Sequence, residues 1–120
     1  LKKLERNDFI LYSGDDPTAT QFMLEGGSGT ISVTANVVPS RIAEICTQAL
    51  SGEGRIAIKL DLELKELNEI LFVESNPIPV KWILNRLGRI PGGLRLPLVE
   101  LDNKHHNKTE LILKKLSLLN

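Results

Sequence analysis

Asp8-Phe9-Ile10-Leu11-Tyr12-Ser13-Gly14-Asp15-Asp16-Pro17 is the stretch on which the fold turns. Its apolar residues run without alternation, which suits a strand covered on both faces, as in a parallel sheet. Gly14-Asp15-Asp16 breaks the run, and Pro17 suits the first position of a helix reaching about Glu25. Asp16, directly before the proline, reads as the N-cap of that helix. Gly26-Gly27 supplies a left-handed stop. A second apolar strand follows at Thr30-Ile31-Ser32-Val33-Thr34, where β-branched residues favour the extended state. Pro39 then opens a helix with Ile42, Ile45, Cys46 and Ala49 on one face. Strand, helix, strand, helix, joined by short turns, is the βα repeat of a parallel sheet.

On either side of these two units the pattern is helical. Leu1 and Leu4 have helical spacing, but Leu1–Arg6 is too short to start a helix unaided and reads as the tail of an earlier one. From Ser51 onward Ile56, Leu60, Leu64, Leu67 and Leu71 mark one long amphipathic helix, ended by Asn76-Pro77-Ile78-Pro79. Val80, Ile83, Leu84 and Leu87 lie on the next, which Gly88 stops. After Pro91-Gly92-Gly93, the segment Leu94-Arg95-Leu96-Pro97-Leu98 reads as an extended connection. A final helix covers roughly Lys104 to Leu118.

Composition narrows the function. Fifteen basic residues balance 15 acidic ones, so no net field draws in nucleic acid or an anionic membrane surface. Aromatic content of 4% also argues against base stacking. The single cysteine, Cys46, rules out an internal disulfide framework and fits a reducing compartment. No apolar run approaches the roughly 20 residues that span a bilayer, and no signal sequence opens the chain. A cytoplasmic protein is the expectation, with an upstream segment left open because the chain begins at Leu1 rather than Met.

Two parallel strands leave an open sheet edge, and apolar strands of this kind need cover on two faces. A (β/α)₈ barrel meets both needs at about 250 residues. A small independent α/β domain is the alternative.

Four blocks carry a family resemblance: Tyr12-Ser13-Gly14-Asp15-Asp16, Gly29-Thr30-Ile31-Ser32-Val33-Thr34-Ala35-Asn36, Asn76-Pro77-Ile78-Pro79-Val80-Lys81-Trp82 and Gly93-Leu94-Arg95-Leu96-Pro97-Leu98. In this order and spacing they resemble the C-terminal part of the 4-hydroxy-tetrahydrodipicolinate synthase family, pyruvate-dependent lyases of lysine biosynthesis by way of diaminopimelate. The resemblance covers nearly the whole chain. It implies an α/β fold in which residues 1–50 are the last two βα units of a TIM barrel and residues 51–120 a C-terminal helical region. Family members form a Schiff base between a strand-six lysine and pyruvate, and the enamine attacks L-aspartate 4-semialdehyde. No cofactor or metal is implied.

By the same resemblance the catalytic lysine, tyrosine and threonine lie upstream of Leu1, so no catalytic residue is expected in this chain. Ile31 matches the position whose backbone lines the pyruvate pocket, and Gly14 the glycine where a side chain would intrude on the bound imine. Read without the family, Gly14 is a turn glycine and Ile31 a core residue. The family assembles as a homotetramer or dimer, which puts Thr20, Leu24 and Glu25 at a subunit contact; Leu24 equally suits the barrel core. The N-terminal part of the barrel is the implied partner. Other pyruvate aldolases such as N-acetylneuraminate lyase, or a non-catalytic assembly subunit, are the alternatives.

The remaining chemical candidates read as structural. Lys81 sits in a proline-fixed turn but ends no strand, so a helix-surface lysine is the plainer reading. His105-His106 point about 100° apart on a helix, lack a third ligand at zinc spacing, and are expected in solvent. Cys46 reads as an inert thiol. Gly26-Gly27-Ser28-Gly29 follows a helix and opens a strand, the reverse of a phosphate loop.

Overall fold

The computed structural model describes residues 8–120. The helical tail expected at Leu1–Arg6 lies outside them. The chain divides into two compact units, the first ending at Lys65 and the second covering Glu66–Asn120.

The first unit is built on two parallel strands, β1 (Tyr12–Ser13) and β2 (Gly29–Thr30), with Tyr12 opposite Gly29 and Ser13 opposite Thr30. Ser28 N donates to Leu11 O at 2.8 Å and Ile31 N to Ser13 O at 2.8 Å, so the ladder reaches one residue beyond each end. Both strands are shorter than their apolar runs. Phe9, Ile10, Tyr12 and Ile31 are all more than half exposed, because the two strands have only each other to pair with among the described residues.

Helix α1 (Asp16–Leu24) connects the strands. It ends where the sequence places its stop. Gly26 takes φ 106°, and Gly27 N donates to Phe22 O at 3.0 Å. A Cβ at Gly27 would lie 2.2 Å from the Phe22 ring, so only glycine fits. After β2, a 3₁₀ turn at Thr34–Asn36 leads into α2 (Pro39–Leu50), which packs on α1 and on α3 (Gly54–Glu63). Ile45 and Ala49 are buried on the expected face of α2, with Ile42 and Cys46 half-buried.

The long helix expected through Ile56–Leu71 is broken. Helix α3 ends at Glu63, and α4 (Lys65–Ile70) starts anew after Leu64, which is fully buried at the junction. The apolar spacing continues across the break because Leu64 and Leu67 are both core residues.

The second unit contains α5 (Ile78–Arg86), a 3₁₀ turn at Asn103–His105 and α6 (His106–Lys115). Pro79 stands in the first turn of α5, where a missing N–H costs nothing. Gly88 at φ 70° stops the helix, with Arg89 N bonded to Leu84 O. The Asn76–Pro77 and Leu96–Pro97 peptides are cis. Leu67, Leu71, Ile83 and Leu113 are fully buried and form the heart of the unit. Its polar surface carries the Arg86–Glu110 and Lys115–Glu66 ion pairs.

Candidate functional site

The parallel register of β1 and β2 brings Ser13-Gly14 and Thr30-Ile31 side by side at the C-terminal ends of the strands. This is the end at which parallel α/β folds place their chemistry. Gly14 is exposed, and a Cβ built on it meets nothing within 4 Å among the described residues. Its φ lies outside the left-handed region, so neither packing nor backbone conformation within these residues demands glycine there. Ile31 is 76% exposed rather than packed in a core. Its N–H is engaged by Ser13 O, and Thr30 Oγ1 donates to the same carbonyl at 3.4 Å.

Two neighbouring acids hold the turns that leave these strands, in different ways. Asp15, not Asp16, is the N-cap residue of α1, and its Oδ2 accepts from Thr18 Oγ1 at 2.6 Å. Asp16 is the first helical residue, and its side chain turns to the other βα unit. Oδ1 accepts from Ser32 Oγ, while Oδ2 accepts from Val33 N at 2.9 Å and Thr34 N at 3.1 Å. Ser32 Oγ in turn accepts from Ala35 N at 2.9 Å. With four bonds, Asp16 and Ser32 close the start of the 3₁₀ turn that follows β2. The expected strand through Thr34 therefore stops at Thr30. Ser32 bonds its own following backbone, which competes with the ladder. The Ser32-to-Ala35 spacing is a capping signal that the β-branched composition of the stretch conceals.

A third acid lies nearby in the same unit. Burial pushes the Asp61 carboxyl above the usual range; a hydrogen bond from Thr20 counters this, and the charge of Asp16 adds to it. Thr20 is buried, Leu24 is half-buried and would touch a Cβ at Gly54, and Glu25 is exposed beside Gln21, whose Nε2 donates to it at 2.7 Å.

Among the described residues no lysine ends a strand. Lys81 lies on α5 and, with Trp82, Asn85 and Gly92-Gly93, lines an open depression of about 80 Å³. The histidine pair is not in open solvent: both rings are part-buried and partnered. His105 Nε2 lies 3.6 Å from Glu74 Oε1, and His106 stacks on Trp82. Cys46 is half-buried, and burial raises its thiol pKa, which disfavours the thiolate. No group of three metal-ligating side chains is found among the described residues. Nor is any helix there long and apolar enough to cross a membrane.

The chain as a whole is similar to known proteins. The 4-hydroxy-tetrahydrodipicolinate synthase of Laribacter hongkongensis is 50% identical over 119 residues, which is 99% of this chain and 41% of that protein. The chain thus spans about two fifths of the length of the curated relatives it matches. The chloride-inhibited dihydrodipicolinate synthase of Acinetobacter baumannii, solved in complex with pyruvate, superposes with a TM-score of 0.90 at 42% identity. That match covers 92% of this chain and 38% of that one. The dihydrodipicolinate synthase of Aquifex aeolicus gives a TM-score of 0.93 at 39% identity, over 97% of this chain and 40% of its own. The family model for the dihydrodipicolinate synthetase family matches residues 1–116, and the chain belongs to that family.

Proposed function

We propose that this chain supplies the last two βα units and the C-terminal helical region of a (β/α)₈ lyase that condenses pyruvate with L-aspartate 4-semialdehyde. Residues 1–50 belong to the barrel and residues 51–120 to the helical region. The observation that carries this reading is the open mouth of the parallel pair, where Gly14 and Ile31 stand next to each other and no described residue covers Gly14. The exposed apolar side chains of Phe9, Ile10, Tyr12 and Ile31 favour it as well, since they offer the preceding strands of a barrel a surface to cover.

In this reading a lysine outside the chain attacks the ketone carbon of pyruvate, and water leaves as the imine forms. Loss of a methyl proton gives the enamine. Its carbon bonds to the aldehyde carbon of the semialdehyde, whose oxygen takes up a proton. The substrate amine then displaces the lysine as the ring closes. This chain contributes a rim: Ile31 through its carbonyl, its N–H being engaged by Ser13, and Gly14 by leaving room for the imine. The protein works in the cytoplasm as a homotetramer or dimer. Leu24 and Glu25 offer surface to a subunit contact, and Thr20 supports that helix from within.

Borohydride trapping tests the reading. The native protein, purified without denaturation and incubated with pyruvate and borohydride, is expected to gain one reduced pyruvate adduct on a lysine outside residues 1–120. Its polypeptide mass should fit a complete barrel, or a bound partner chain should supply the rest. No adduct, with a native mass of 13.3 kDa and no partner, would leave a non-catalytic subunit instead.

A further inference from the structure

The Ile31 peptide is fixed from both sides, and the second fixing point comes from the other βα unit. On one side its N–H donates to Ser13 O at 2.8 Å. On the other, the three residues that follow, Ser32, Val33 and Thr34, all donate to the Asp16 carboxylate. We propose that Asp16 is a positioning residue of the pyruvate pocket, its buried carboxylate holding the turn after β2 so that the Ile31 carbonyl faces substrate. This rests on the reading of Ile31 as a pocket residue given above.

Three features separate this role from ordinary helix capping. Asp16 caps no part of its own helix: its carboxylate bonds only Ser32, Val33 and Thr34, while Asp15 holds the N-cap position. A carboxylate with 6% residual exposure pays a desolvation cost that only well-formed hydrogen bonds offset, and here three converge on it. The side chain of Ile31 is also largely exposed, so packing within the described residues does not set the position of its backbone. Ser13 O before it and Asp16 after it are the bonds that hold the segment carrying that carbonyl on its two sides. Asp16 also directly follows Gly14-Asp15, so one short segment shapes both sides of the mouth: Gly14 by its missing side chain and Asp16 by its reach.

The test uses the native protein with its complete barrel, carrying Asp16→Ala, Asp16→Asn or Ser32→Ala, with steady-state kinetics in both substrates. Asp16→Ala is expected to raise KM for pyruvate about tenfold and leave KM for the semialdehyde within about twofold, the signature of lost binding at one substrate only. Ser32→Ala, which removes one of the three bonds to Asp16 and the bond from Ala35 N, should raise pyruvate KM about threefold. Asp16→Asn keeps an acceptor oxygen for the two backbone N–H groups and should fall between wild type and Asp16→Ala. An unchanged pyruvate KM in Asp16→Ala, with only thermal stability or active fraction reduced, would overturn the proposal. Should Asp16→Ala fail to fold, an unchanged pyruvate KM in Ser32→Ala would overturn it equally. Borohydride trapping of the wild type separates the two failures. A wild type that traps pyruvate beside variants with unchanged KM removes only the role of Asp16. A wild type that traps none removes the pocket reading and this proposal together.

Discussion

Trp82 and His106 stack with ring centroids 4.5 Å apart and planes inclined by 28°, and His106 Nε2 donates to Leu101 O at 2.9 Å. The stack joins α5 to the start of α6, and the hydrogen bond joins α6 to the segment before it. Trp82→Ala is expected to lower unfolding stability by about 2 kcal/mol, combining a stacked pair with lost apolar burial. Trp82→Phe should recover more than half of that loss. Urea midpoints at constant m-value measure both, and equal midpoints for wild type and Trp82→Ala would show the stack to be idle.

Gly14→Ala separates packing from pocket. A methyl group there meets no described atom, so stability should stay within about 0.5 kcal/mol of wild type. The pyruvate KM of the native protein should nevertheless rise about tenfold, close to 1.4 kcal/mol of lost binding. Kinetics like those of wild type would show that no ligand occupies the open space beside Gly14.

Asp61 resists ionisation because it is partly buried and faces the charge of Asp16. A carboxyl with a raised folded pKa destabilises the fold once ionised. That penalty is fully present above the folded pKa, fades as pH falls through it, and is gone below the ordinary carboxylate range. Asp61→Asn keeps an acceptor for Thr20 and removes the charge, so its Tm should exceed wild type at pH 7 and converge with it near pH 3. A Tm below wild type at pH 7 would contradict this assignment.

Glu110 shows the opposite case. A hydrogen bond from Arg86 at 2.6 Å, with that residue's charge, holds its carboxyl below the ordinary range. The contribution of the pair is present above the unfolded pKa and is lost as pH falls through the folded one. Arg86→Gln should move the side-chain NMR titration of Glu110 upward toward ordinary glutamate. An unmoved titration curve would mean that the pair is not populated in solution.

Expressed alone, the 120-residue chain is expected to self-associate, because Phe9, Ile10, Tyr12 and Ile31 present apolar surface along two strands that pair only with each other among the described residues. Sedimentation velocity and dye binding report this directly. A monodisperse, dye-silent monomer would show that the two βα units are content without cover.

The sequence was most legible where the signals are local. Pro39, Gly26 and Gly88 mark helix ends that stand within a residue or so of expectation, since a proline or a left-handed glycine acts on its own turn. It was least legible where the partner is distant in sequence. The apolar run Phe9–Tyr12 announces a strand but not its length, which depends on how many neighbours pair with it. Leu60, Leu64 and Leu67 share a helical period, and a period records which side is buried, not whether the axis is continuous. Asp16 reads as a cap in any local grammar, because the residues it bonds lie in the next βα unit. The sequence puts His105 and His106 in solvent for the same reason: Glu74 and Trp82, which partner them, are far back along the chain. The mouth itself was legible only through the family blocks that contain Gly14 and Ile31.

The bonds from Asp16 to the turn after β2 span only 16 to 18 residues. Closing loops of that size costs little chain entropy compared with drawing together the ends of a whole barrel. Contacts with such short separations are those that form quickly during folding, ahead of long-range strand pairing. The shape of this mouth is thus written into one short strand–helix–strand stretch of chain, and it can be set before the rest of any sheet has arrived to pair with it.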